Sequence, residues 1–243
     1  MGIQRDLLKI AERLTGTRIY PAWRVPSRGI SPFEDIAASL PKLQLQLVFD
    51  VGANVGQSAA MYLSELPRAT IYCFEPVDET FKQLRQAVVS PRVESFQIAL
   101  GSERRRGKMV HRGEAEMFHL LRDSVPPKDV FLEDVIIETL DNFCAQQRVE
   151  RISYLKVDTE GSDLDVLKGA EEMLTSHRID LIQVEAGMNF RNRHHVPFED
   201  FKHSLVPRGY FLFGLYEQVP EWPTNEPHLR RSNLLFVSER VKG

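Results

Sequence analysis

An apolar run from Leu43 to Val51 breaks into Gly52-Ala53-Asn54-Val55-Gly56, and a helical pattern opens directly behind it. This junction constrains the fold more than any other feature. Glycines there let the backbone turn sharply and come close to a ligand lying over the strand end. The same change of period then repeats. Ala69 to Phe74 is a second apolar run, followed by a helix with Phe81, Leu84 and Val88 on one face. Val93 to Leu100 reads as a third strand and Ile152 to Val157 as a fourth, which leads into a helix through Leu164, Leu167 and Leu174. Ile179 to Glu185 makes a fifth strand. Strands alternating with crossover-length helices predict an α/β fold whose mostly parallel sheet is doubly wound, with helices on both faces.

The two ends depart from this pattern. Leu7, Ile10, Ala11 and Leu14 recur at helical spacing up to Gly16, and Pro21, Pro26, Gly29 and Pro32 then mark a linker. Ser31 can cap a short helix through Leu40, so residues 1–40 are expected to be a helical extension and linker ahead of a catalytic unit at 41–243. Between the third and fourth strands, residues 101–138 read as an inserted hairpin or flap. This insert carries the basic turn Arg104, Arg105, Arg106 and Lys108, taken as a solvated surface with an anionic-substrate contact as the alternative. Two C-terminal strands, Gly209 to Phe213 and Asn233 to Val237, lack a convincing helix between them and predict an antiparallel closing pair at a sheet edge. Tyr20, Trp23 and Trp222 read as packing residues that could instead cover the acceptor or a neighbouring subunit, as in a homodimer.

Bulk properties exclude several classes. A net charge of -3 argues against affinity built on neutralising many phosphates, so no nucleic-acid partner is expected. Two cysteines, Cys73 in an apolar run and Cys144 in a helical stretch, do not make a disulfide or metal framework. No apolar run is long enough to span a membrane, and Arg5, Asp6 and Lys9 stand where a secretory signal would be apolar. The cytoplasm is the expected compartment.

The glycine turn differs from a dinucleotide fingerprint: its spacing is G-x-N-x-G, and Asp50 sits two positions before the first glycine. An acid there can hold the ammonium end of a methionine-type ligand, directly or through water, but would sit poorly beside a pyrophosphate. Gly56, Gln57 and Ser58 offer free amides at the helix start for that ligand's carboxylate. Glu75, which ends the second strand before Pro76, is placed to accept hydrogen bonds from both hydroxyls of a ribose. Ala99, between Ile98 and Leu100, would border an adenine ring. The ordinary alternative is a tight strand-to-helix turn with no ligand. The expected cofactor set is Asp50, Gly52, Ala53, Asn54, Gly56, Gln57, Ser58, Glu75, Pro76, Ala99 and Asp158.

Taken together, Asp50-x-Gly52-x-Asn54-x-Gly56, Phe74-Glu75-Pro76, Ala99-Leu100-Gly101 and above all Lys156-Val157-Asp158-Thr159-Glu160-Gly161, followed by Val166-Leu167-Lys168-Gly169-Ala170, resemble the FkbM family of methyltransferases. The likeness spans about residues 46 to 215 and leaves residues 1–40 outside. It implies a class I methyltransferase, Rossmann-like sheet of seven strands with an antiparallel edge hairpin. It also implies S-adenosylmethionine as methyl donor and a hydroxyl acceptor on a sugar, polyketide or glycolipid.

Asp158, Glu160 and Glu185 fall at or just beyond strand ends, where a substrate should lie in such a sheet. Methyl transfer to a hydroxyl needs alignment and a group to take the proton. His195 is the first candidate for that group and Asp158 the second, with a solvent-facing His194-His195 loop as the alternative. Glu160 and Glu185 are expected on the substrate, and Tyr216 could supply a polar tip to the same pocket. Glu160 could equally be a helix N-terminal acid. Asp158, Glu160 and Glu185 could also hold a divalent metal that activates the acceptor, although no metal is required by the pattern. Competing readings are an NAD-linked oxidoreductase, which should show a third glycine and a hydride-transfer pair, and a non-catalytic nucleoside-binding protein.

Overall fold

The computed structural model describes residues 28–111, 118–120 and 131–241. The helix expected over Leu7 to Leu14, with Tyr20 and Trp23, lies outside the described residues. In chain order the strands are β1 (Leu47–Val51), β2 (Thr70–Phe74), β3 (Val93–Phe96), β4 (Ala99–Leu100), β5 (Arg105–His111), β6 (Phe118–Leu120), β7 (Phe131–Glu138), β8 (Ile152–Val157), β9 (Ile179–Gly187), β10 (Tyr210–Glu221) and β11 (Glu226–Ser238). The helices are α1 (Pro32–Ser39), α2 (Gln57–Glu65), α3 (Asp78–Ala87), α4 (Leu140–Gln147), α5 (Asp163–Lys168), α6 (Glu171–Thr175) and α7 (Phe198–Leu205).

Seven strands form the main sheet in the order β10-β11-β9-β8-β1-β2-β3. The five from β9 to β3 run parallel, and the β10–β11 hairpin closes one edge antiparallel. The expected architecture is therefore the observed one. Alternation along β1 divides its side chains between two cores: Phe49 and Val51 join Phe143, Leu155 and Val157 on one face, while Val48 joins Tyr62, Ile71 and Leu181 on the other. Cys73 and Cys144 are buried in opposite cores. Ser31 caps α1 by accepting from the Glu34 amide, and α1 packs Phe33 against Tyr62 and Tyr154. No helix among the described residues is long and apolar enough to cross a membrane.

Three sequence expectations need adjustment. The third strand is broken: β3 stays in the main sheet, while β4 leaves it to pair with β7. The insert, β5 to β7, thus builds a second small sheet in the order β4-β7-β5-β6. The helix expected through Leu164 to Leu174 is two helices, parted at Gly169. A Cβ on Gly169 would lie 2.0 Å from the Gly101 carbonyl oxygen, so only glycine fits where the helix pair meets the β4 exit. The C-terminal strands are longer than their apolar centres suggested, running 12 and 13 residues, and they carry Trp222 at their turn. In the basic run of the insert, Arg104 pairs with Glu138, Arg105 with Glu103 and Lys108 with Asp134.

Candidate active site

Gly52 and Gly56 adopt φ of 80° and 96°, and Asn54 between them has φ of 50°. A Cβ on Gly52 would stand 1.9 Å from the Asp158 carbonyl oxygen, so the β1 turn can lie against the β8 exit only with glycine there. The amides of Gly52 and Ala53 both donate to the Phe74 carbonyl at 3.0 Å, which binds the turn to the end of β2. Glu75 follows directly. Its Oε2 accepts from the Asn54 amide at 3.1 Å and its Oε1 from the Val77 amide at 2.9 Å. Burial pushes this carboxyl up to about 7, against the pull of those two amides.

Over the ends of β1, β2 and β4 lies a cavity of about 420 Å³. Gly52, Ala53, Asn54, Gln57, Ser58, Glu75, Pro76, Ala99 and Asp158 all line it, together with Met109 from the insert. Asp50 and Gly56 do not. Gly56 is turned toward Leu84 and Val88 of the α3 end, and Asp50 is wholly buried beneath the turn. Asp50 Oδ1 lies 3.4 Å from Lys156 Nζ, which is 3.2 Å from Asp158 Oδ2. Asp50 Oδ2 is buried without a hydrogen-bond partner. Burial raises the Asp50 carboxyl, with Lys156 pulling it back. Lys156 is itself buried, yet Asp50 and Asp158 outweigh the desolvation and hold its ammonium above the usual lysine range. Asp50 therefore reaches the cavity wall through Lys156.

A second, more open cleft of about 650 Å³ shares Ser58, Lys156, Asp158 and Glu160 with the first. Its far wall carries Glu185 of β9, His194 and His195 from the loop beyond it, and Glu217, Trp222 and Arg231 from the edge hairpin. His195 is held at both nitrogens: Nδ1 is 3.1 Å from Asn192 Oδ1, and Nε2 is 2.6 Å from Glu185 Oε2. Asn192 Oδ1 also accepts from the His194 amide, and Asn192 Nδ2 donates to the Arg230 carbonyl, so the amide's orientation is fixed and Nδ1 of His195 carries a proton. Burial works against charge on His195, but Glu185 and then Glu160 outweigh it and raise the imidazole above its ordinary value. Both ring nitrogens face acceptors, an arrangement that favours the charged form of the ring beside Glu185, which Arg231 also contacts. A free imidazole base at this position is not what the geometry offers.

Tyr216 lies apart from this cleft. It is buried, and its hydroxyl is 2.9 Å from Asp35 Oδ2 of α1, while its neighbour Glu217 lines the cleft instead. Asp158, Glu160 and Glu185 do not gather as a metal-ligand set, since Asp158 turns to Lys156 and Glu185 to His195 and Arg231. Among the described residues no three His, Cys, Asp or Glu side chains are grouped to hold a metal ion. Asp163, in the first turn of α5, is buried and accepts from the Thr159 and Gly161 amides, fixing the loop that carries Asp158 and Glu160. Asn192, Arg231 and Met109 were not singled out from sequence, and Lys156 was named only as the first residue of the Lys156 to Gly161 motif, with no role of its own. Of these only Lys156 left a signal, as a lysine inside an otherwise apolar strand.

The strand order of the main sheet, with a cavity over its parallel strand ends that shares four lining residues with a second cleft, is the arrangement of a class I methyltransferase. The family described as Methyltransferase FkbM domain matches residues 50–206. The chain belongs to that family and is an S-adenosylmethionine-dependent methyltransferase. It is 26% identical over 194 residues to the 2-O-methyltransferase NoeI of Sinorhizobium fredii, covering 73% of this chain and 75% of that protein. It is 26% identical over 184 residues to the hexuronic acid methyltransferase AglP of Haloferax volcanii, covering 74% and 72%. A 155-residue stretch, 52% of this chain and 60% of the relative, is 31% identical to the 31-O-demethyl-FK506 methyltransferase FkbM of Streptomyces tacrolimicus.

Proposed function

We propose that this enzyme methylates a hydroxyl of a sugar-type acceptor. The observation that carries the reading is the wall of Ser58, Lys156, Asp158 and Glu160 common to both cavities, which brings two ligands to one point. The relative named for 2-O-methylation supports the acceptor class. The cavity residues fit the cofactor. Each Glu75 oxygen accepts only one backbone amide and keeps a lone pair for a ribose hydroxyl, and the close approach at Gly52 leaves the turn open to a ligand. Gln57 and Ser58 lie in the first turn of α2, where unpaired amides favour a carboxylate. Ala99 and Met109 give an apolar wall for the base. When bound, the cofactor supplies a methyl group on a sulfonium, ready for in-line displacement.

The protein's own contribution is alignment and proton handling. Asp158 stands on the shared wall with one oxygen on Lys156, and it is the group assigned to take the acceptor's proton. His195, fixed by Asn192, acts through Glu185, whose carboxylate it and Arg231 hold toward the cleft. Titration with S-adenosylhomocysteine, NAD and NADP tests the class, and incubation with S-adenosylmethionine and a set of methyl glycosides, read by mass, tests the acceptor. Binding of NAD in preference to S-adenosylhomocysteine would overturn the cofactor assignment. Methylation confined to nitrogen nucleophiles would overturn the acceptor assignment.

A further inference from the structure

The acceptor cleft is lined by several charges, and its cations are all matched. Lys156 is paired with Asp50 and Asp158, Arg230 with Glu221 at 3.0 Å, and His195 and Arg231 with Glu185. Two acids of the cleft, Glu160 and Glu217, stand without such a partner: among the described residues no cation lies within ion-pair distance of either, and Glu217 is the one on the far wall, carried by the edge hairpin. It accepts a hydrogen bond from Asn233 Nδ2 to Oε2 at 2.8 Å, which fixes the carboxylate but leaves its charge in place.

An irregularity in the edge hairpin puts Glu217 there. Tyr216 pairs with Asn233 and Val219 with Arg231, so three steps along β10 meet two along β11 and one residue is extra. Glu217 sits in that bulge with φ of 47°, a left-handed conformation that residues with side chains seldom adopt. Bulges re-aim side chains at sheet edges and next to sites. Here Tyr216 is directed to Asp35 on α1, and Glu217 to the cleft.

We propose that Glu217 is a specificity-determining residue that excludes anionic acceptors, so that the hydroxyl methylated belongs to a neutral or cationic molecule. The inference rests on the reading of this cleft as the acceptor site. A carboxylate with no counter-ion accepts hydrogen bonds from neutral hydroxyls and attracts an ammonium. A carboxylate or phosphate on the acceptor would meet Glu217 as a like charge, while the cations of the cleft are already engaged by Asp50, Asp158, Glu185 and Glu221.

Three glycosides of matched shape test this: methyl β-D-glucoside, the corresponding glucosaminide and the glucuronide, each assayed with S-adenosylmethionine at pH 7. The wild-type enzyme should favour the glucoside over the glucuronide by about tenfold or more in kcat/KM, mainly through KM, with the glucosaminide at least equal to the glucoside. Glu217→Gln should bring the glucoside and glucuronide to within about threefold of each other, and Glu217→Arg should reverse their order. Melting temperature and S-adenosylhomocysteine affinity should stay as in wild type for both variants, since a merely structural role would move these and not the ratio. A wild-type preference for the glucuronide, or an unchanged ratio in Glu217→Gln, would overturn the proposal alone. Failure of the wild type to methylate any of the three, while still binding S-adenosylhomocysteine, would overturn the acceptor reading and the proposal with it.

Discussion

Replacing Glu75 by glutamine should move the stability of the ligand-free protein relative to wild type upward as pH rises, while weakening its hold on the cofactor. The buried Glu75 carboxyl titrates near 7 instead of its ordinary 4.5. A group whose folded value is raised gives stability that is full below the unfolded value and is lost as pH rises through the folded one. Wild type therefore loses stability progressively between about pH 4.5 and 7 on account of this residue, and the loss is complete above that. From pH 5.5 to 8.5 the loss amounts to about 2 kcal/mol, at 1.36 kcal/mol for each unit of differential titration. Glutamine has no such term. It does place an NH₂ group opposite one of the backbone amides of Asn54 and Val77, a penalty of about 1–3 kcal/mol that does not vary with pH. The informative quantity is thus the change with pH in the stability difference between variant and wild type.

Urea denaturation at pH 5.5 and 8.5 measures it, with the difference expected to move by about 2 kcal/mol in the variant's favour. Calorimetry at pH 8 should show S-adenosylhomocysteine binding weakened by about 1.5–3 kcal/mol, the worth of charge-assisted bonds to the ribose. A stability difference that stays constant across pH would refute the burial argument. An unchanged affinity would refute the ribose assignment.

Gly52→Ala forces a Cβ into the Asp158 carbonyl at a positive φ, so it should destabilise the fold by more than about 2 kcal/mol and abolish S-adenosylhomocysteine binding; a variant that binds normally would show that the turn can move aside. Lys156→Met strips the wholly buried Asp50 of its counter-ion and should cost about 3 kcal/mol or more in urea denaturation, most of it recovered in the Lys156→Met, Asp50→Asn double variant; no recovery would mean the ion pair is not the cause. Asn192→Ala frees the His195 ring and should lower turnover with S-adenosylhomocysteine affinity unchanged; equal turnover would remove Asn192 as a positioning residue. His195 is raised above its ordinary 6.5, so its pairing with Glu185 stabilises fully below that value and fades as pH climbs through the raised one; His195→Gln should flatten this alkaline decline in melting temperature, and a parallel decline in both proteins would contradict it.

The sheet was legible because its central strands β1, β8 and β9 are buried on both faces and announce themselves as apolar runs between helical patterns. The break after β3 was not. Val93 to Leu100 is apolar enough for one strand, and only the presence of β7 as an alternative partner draws Ala99 and Leu100 away. Pairing between distant segments leaves no local periodicity. The split between α5 and α6 failed for a related reason, since Gly169 is placed by the Gly101 carbonyl of a remote turn. On the cofactor side nine of the expected residues line one cavity: five, Gly52 to Ser58, belong to a turn that is local in sequence, and four, Glu75, Pro76, Ala99 and Asp158, stand at strand ends that the apolar runs already marked. The acceptor side is assembled from β8, the loop after β9 and the edge hairpin, so spacing could name its carboxylates without naming their partners.

Those partners determine what each acid can do. Asp50 and Asp158 are both acids at strand ends, yet Lys156 separates their roles: one is sealed under the turn, and the other stays on the wall where two ligands meet. Glu185 and Glu217 face the same cleft, but the first is neutralised by His195 and Arg231 while the second keeps its charge. A carboxylate's identity is written in the sequence. Whether it takes a proton, holds another side chain or repels a substrate follows from the cation placed beside it, and in this fold most of those cations arrive from other strands and loops.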